Sequence, residues 1–112
     1  MNTPIASTVM RELHPPLDKV IAAIGTPVRW GILGELSAGE PLMVKEIAER
    51  LKCSPTLISK HMAVLRRAGM VAVGRAGVYF IPQHFVMSTA ERHVDFGHCV
   101  LRLGKTEAAV KV

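Results

Sequence analysis

The sequence predicts a mainly α domain with a small β-hairpin, and three observations carry that class. Apolar residues recur at helical spacing in four stretches between Leu17 and Leu65. Two of those stretches open on a hydroxyl residue followed by proline, Thr26-Pro27 and Ser54-Pro55. Two short β-prone runs then bracket the tetrad Gly74-Arg75-Ala76-Gly77. The 112 residues suit a single compact domain spanning 1–112, and 49% hydrophobic with 21% charged residues is a composition that can build a core.

Taken in order, residues 1–13 show little periodicity and are expected to fray. Leu17, Val20, Ile21 and Ile24 form one stripe of a short helix that Gly25 ends. Thr26 caps a second helix whose stripe is Val28, Ile32, Leu33 and Leu36. Gly31 and Gly34 inside it each cost roughly 1 kcal/mol relative to Ala, which close packing against a neighbouring helix would explain. After the turn Ser37-Ala38-Gly39-Glu40-Pro41, a third helix from about Val44 to Leu51 places Val44, Ile47, Ala48 and Leu51 on one side. The break Lys52-Cys53-Ser54 leads into a fourth helix that turns Ile58, Met62 and Leu65 inward, runs to Ala68 and is closed by Gly69. Met70 to Val73 and Val78 to Ile81 form the hairpin, and Pro82 ends it. Residues 84–103 read either as a helix containing Gly97 or as a strand of Val94, Phe96, His98 and Val100. Gly97 and the weak helix formers around it favour extended structure in the second half.

The charge is placed, not spread. Fourteen Lys and Arg against nine Asp and Glu give +5 and a pI of about 9.7. Lys45, Arg50, Lys52, Lys60, Arg66, Arg67 and Arg75 face only Glu46 and Glu49 within residues 41–75, so this segment holds the whole excess and the rest of the chain is neutral.

Several classes are excluded. No apolar run approaches the ~18 residues of a membrane span, and Met1 to Pro16 shows no basic cluster followed by an apolar stretch, so no secretory signal is expected. Two cysteines, Cys53 and Cys99, are too few for a disulfide scaffold and fit a reducing cytoplasm. GxxxxGK[ST], GxSxG, HExxH and repeated CxxC patterns are all missing, and Asp95-Phe96-Gly97 has no glycine-rich loop to make it a kinase motif. The sequence therefore points away from an enzyme and implies no cofactor and no metal.

Two short helices joined by a three-residue turn and followed at once by a hairpin describe a winged helix-turn-helix, with the helix-turn-helix at about 44–68 and the wing at about 70–81. A helix of this length can enter the major groove and meet base edges with its N-terminal residues. With Ile58, Met62 and Leu65 facing inward, Thr56, Leu57, Ser59, Lys60 and His61 face outward near its start. Hydroxyls, an ammonium and an imidazole there are groups that read bases and grip phosphates. Arg75, between glycines at the hairpin tip, is placed for flanking backbone or minor groove. Any basic helix has a solvated charged face, but the coincidence of turn, basic excess and wing favours double-stranded DNA.

The segments Ile24-Gly25-Thr26-Pro27-Val28-Arg29-Trp30-Gly31-Ile32-Leu33, Val44-Lys45-Glu46-Ile47-Ala48-Glu49-Arg50-Leu51 and Ser54-Pro55-Thr56-Leu57-Ile58-Ser59-Lys60-His61, with Leu65 and Ala68-Gly69-Met70-Val71, resemble the ArsR/SmtB-type bacterial regulators over residues 17–82. The resemblance implies a cytoplasmic homodimeric repressor that binds an operator and is released by an effector. It places the DNA-reading residues at Ser54, Thr56, Leu57, Ser59, Lys60 and His61, with Arg75 in the wing, and makes 84–112 a dimer or effector element.

The chain departs from that pattern at its sensor sites. The third-helix thiolate pair of the arsenic, cadmium and lead sensors falls on Met43 and Lys45, a poor ligand and a non-ligand. The tail offers His84, His93, Asp95, His98 and Cys99 without the spacing of the C-terminal zinc site. The effector is therefore unknown. Cys53 is expected to be a packed structural thiol, His14 a surface residue and Trp30 an edge of the core or a dimer contact. Of Tyr79 and Phe80, alternation puts one on the core and the other outside. The rival function is a winged-helix module for protein contact without DNA binding.

Overall fold

A computed structural model describes residues 14–104. Its described residues form four helices, α1 Leu17–Ala23, α2 Pro27–Leu36, α3 Val44–Leu51 and α4 Pro55–Arg67. A two-stranded hairpin follows, β1 Ala72–Val73 paired antiparallel with β2 Tyr79–Phe80. A three-stranded antiparallel sheet ends the described chain, in the order β3 Val86–Ser88, β4 His93–Asp95, β5 Val100–Arg102. The α-plus-hairpin class, in its winged helix-turn-helix form, is the observed architecture.

The cap signals form as their chemistry requires. Thr26 Oγ1 accepts from the Arg29 amide at 3.1 Å, and Ser54 Oγ accepts from the Leu57 amide at 3.1 Å, each satisfying a donor that the first helical turn would leave unpaired. Pro27 and Pro55 occupy the first helical positions. The α3–α4 turn passes through Lys52 in the left-handed region at φ 56°, and Gly69 at φ 84° takes the chain out of α4 into the wing.

One continuous core joins the four helices, β2 and the three-stranded sheet. Ile32, Leu33 and Leu36 of α2 meet Ile47, Ala48 and Leu51 of α3 and Ile58, Met62 and Leu65 of α4. Burying a side chain of this size stabilises the fold by about 1.5–3 kcal/mol. Leu42, just ahead of α3, exchanges backbone hydrogen bonds of 3.0 and 2.7 Å with Tyr79, so the wing's second strand is anchored beside the start of the helix-turn-helix.

Two expectations change. On α1, Val20 and Ala23 face the core, while Leu17 and Ile21 are 41% and 59% exposed. The apolar stripe Leu17–Val20–Ile21–Ile24 is thus split: the helix is rotated so that Val20 and Ala23 are buried, Ile24 is partly buried, and Leu17 and Ile21 face outward. In the tail the helical alternative is replaced by the sheet β3–β5, and the single strand through Val94, Phe96, His98 and Val100 is two strands with a turn between them. Asp95 Oδ1 accepts from the Gly97 amide at 2.8 Å, and the Phe96 amide bonds the Cys99 carbonyl at 3.0 Å. Phe96 folds inward against Phe85, with ring centroids 5.1 Å apart.

The sheet is tied to α2 by Arg92, whose Nη1 donates to the buried Gly34 carbonyl at 3.2 Å, and the ring of His14, ahead of α1, lies against Gly97. Trp30, Cys53 and Tyr79 are partly buried against the core. Phe80, also partly buried, lies with its ring over Gly74. Residues 1–13 and 105–112, including the expected frayed N-terminus and the end of the 84–112 element, lie outside the described residues.

Candidate nucleic-acid interface

The start of α4 is built to expose polar atoms. The fully buried side chains of Ile58, Met62 and Leu65 fix the helix's rotation. Helical geometry then puts Thr56, Ser59 and Lys60 together, one turn apart, on the opposite side, with Ala63 and Arg67 continuing that stripe. Ser54, Thr56, Leu57, Ser59 and Lys60 are all exposed. Leu57, 39% exposed, is an apolar side chain held in water where a thymine methyl could meet it. The N–H groups of the first turn lie beside them, a favourable setting for phosphate.

His61 differs from its neighbours. It lies on the flank of α4 that leans on α2, is only partly exposed, and its Nδ1 is 3.0 Å from Arg29 Nη1. A guanidinium has no acceptor, so Nδ1 must carry the lone pair and the ring is neutral with its proton on Nε2. Burial, and then the charge of Arg29, push its pKa below the usual 6.5. Arg29 is itself held by α1, where its Nε donates to the Ala23 carbonyl and its Nη2 reaches the Ala22 carbonyl at 3.4 Å. Sequence reasoning passed over Arg29; its place three residues after a capping threonine was the available signal that it sits at a helix junction.

Arg75 stands apart from α4, exposed in the short turn Arg75–Gly77 at the wing tip, where Ala76 adopts φ 60°. Of the seven basic residues in 41–75, all of them exposed, Arg50 is paired within the fold: Nη1 lies 3.2 Å from Glu35 and Nη2 3.6 Å from Glu40, and the hydrogen bond to Glu35 raises its pKa further.

The residues singled out from the sequence as possible sensors are each engaged or exposed separately. Met43 precedes α3 and its amide is bonded to Glu46 Oε1 at 2.8 Å, while Lys45 is exposed. In the tail, Asp95 is engaged in its turn, His98 is exposed, and burial followed by the charge of Asp95 pushes the Cys99 thiol up, away from the thiolate that binds metal or reacts with oxidants. Among the described residues no three His, Cys, Asp or Glu side chains are grouped to hold a metal ion. Cys53 and Cys99 are both free thiols. No helix of the described residues is long and apolar enough to cross a membrane.

Comparison with known proteins bears on the helix-turn-helix fold. A family model described as a helix-turn-helix domain matches residues 24–74, from the end of α1 to the first residue of the wing turn. Among solved structures the chain is similar to HlyU from Vibrio cholerae N16961, at 28% identity and a TM-score of 0.50, over 72% of this chain and 80% of that one. No curated protein matches.

Proposed function

We propose that this chain, a winged helix-turn-helix DNA-binding transcriptional regulator, works as a homodimeric repressor of the ArsR/SmtB kind on operator DNA in the cytoplasm. The observation that carries the reading is the exposed start of α4. Thr56, Ser59 and Lys60 share one face, Ser54 caps the helix, and the inward side is locked by three fully buried residues. In this reading Ser59, Thr56 and His61 read base edges, Leu57 meets a thymine methyl, and Lys60 and Arg75 hold phosphates. Leu17 and Ile21, one turn apart and exposed on α1, supply apolar surface that a second copy would cover. Two-fold symmetry would then set two α4 helices in successive major grooves, roughly 34 Å apart. The thiolate metal site of the third helix has no part in it.

Footprinting on the DNA upstream of the chain's own gene tests the proposal, with zinc, nickel and an oxidant added in separate arms. Two protected half-sites centred about 10 base pairs or a multiple apart are expected. Ser59→Ala should lower affinity for that site while leaving affinity for random duplex nearly unchanged. If no duplex is bound even at low ionic strength, the protein-contact module replaces this reading.

A further inference from the structure

We propose that Arg29 is a positioning residue for DNA recognition: anchored on the last carbonyls of α1, it holds His61 Nδ1 and so presents His61 Nε2 as an N–H donor to the DNA. This rests on the DNA-binding reading of α4.

Three observations meet at this point. Arg29 is the first-turn residue whose amide is taken by the Thr26 cap, so its backbone is fixed at the head of α2. Its guanidinium is fixed as well, by the carbonyls of Ala22 and Ala23 that the end of α1 leaves without helical partners. The remaining Nη1 donor points at His61, which sits one turn beyond Leu57 on α4.

The chemistry follows from the donor inventory. Arginine can only donate, so a ring nitrogen that meets it can only accept. A free imidazole exchanges its proton between two nitrogens and can present a donor, an acceptor or a cation. Beside Arg29 it presents one thing, an Nε2–H, and among the described residues nothing accepts from it. A fixed donor selects an acceptor on the DNA, a phosphate oxygen or the N7 or O6 edge of a purine, and is mismatched to the amino groups of cytosine and adenine. Because the buttress spans α1, α2 and α4, a change in how α1 sits is felt at the DNA-facing helix through one side chain.

A double-mutant cycle read by NMR and by DNA binding tests this on the full chain. Long-range ¹⁵N–¹H spectra of the wild type should show His61 protonated at Nε2. In Arg29→Met they should show a mixture of tautomers. Arg29→Met and His61→Ala should each weaken operator binding about tenfold, the worth of one hydrogen bond, and the double variant should be no weaker than either single one. Circular dichroism confirms the fold of each variant, and Arg29→Gln, whose amide can accept as well as donate and so no longer dictates the tautomer, replaces Arg29→Met in the cycle if the latter does not fold.

Equal weakening on operator and random duplex would assign the acceptor to a phosphate; weakening confined to the operator would assign it to a base. Additive effects in the cycle, or a wild-type ring protonated at Nδ1, overturn the proposal and leave DNA binding standing. A wild type that binds no duplex overturns both.

Discussion

At the scale of single residues, the consequences concern which side chains are already committed within the protein. Ser54 is committed to the Leu57 amide, so Ser54→Ala should cost about 1 kcal/mol of stability, read as a lower denaturation midpoint, before any effect on DNA is counted. His61 is committed to Arg29 as an acceptor, and its pKa is depressed first by burial and then by that neighbour. A ring with a depressed pKa binds its proton less readily folded than unfolded. Its contribution to stability is therefore complete above pH 6.5, declines as pH falls through 6.5 towards the folded value, and levels off below it. Chemical denaturation between pH 5 and 8 should show a steeper acid-side decline for the wild type than for His61→Gln. Taking the difference between the two removes the titration of the other histidines.

At the scale of elements, what was legible in the sequence divides at Pro82. The bounds of α3, and the start and inward face of α4, follow from signals within one or two turns: a serine cap, a first-position proline, an i, i+4, i+7 stripe and a closing glycine. The sheet β3–β5 has no such signals. Its strands are three residues each, with a register shift between Val86 and Ser88, and they exist because Val94, Phe96 and Leu101 find Phe85 and the helical core. Helix α1 fails in a different way. In seven residues the stripes Leu17–Ile21 and Val20–Ala23 are both helical, and only packing decides between them. Of the seven DNA-facing residues expected, six lie along Ser54–His61; the exposure of Ser54, Thr56, Leu57, Ser59 and Lys60 follows from the same local rule, whereas His61 is only partly exposed and its tie to Arg29 depends on how α2 crosses α4 and could not be read locally.

The turn between β4 and β5 tests how the sheet is held. Gly97 has φ 98°, and a Cβ there would lie 2.4–2.8 Å from the ring and Cβ of His14. Gly97→Ala should destabilise by about 1–3 kcal/mol through the backbone strain and the clash together. Adding His14→Ala should recover the part due to the clash, and a double variant no more stable than Gly97→Ala would show that strain alone is responsible.

At the scale of the whole molecule, the +5 is a local field whose parts have unequal roles. The basic excess of residues 41–75 coincides with α3, α4 and the wing. Arg50 shares that segment but faces Glu35 and Glu40, so its charge is offset within the fold, whereas Lys60 stands exposed on the Thr56–Ser59–Lys60 face. Removing one cation from a phosphate lowers the slope of log affinity against log salt by about 0.9. Arg50→Gln should leave that slope where it is and change stability by no more than about 1 kcal/mol, as expected for an exposed ion pair. Lys60→Ala should lower the slope by about 0.9 if one copy engages the operator and by about 1.8 if two copies do. The same titration thus separates a phosphate-gripping lysine from a paired arginine, and its size counts the copies of the chain on the DNA. A slope indifferent to Lys60 would remove that residue from the interface.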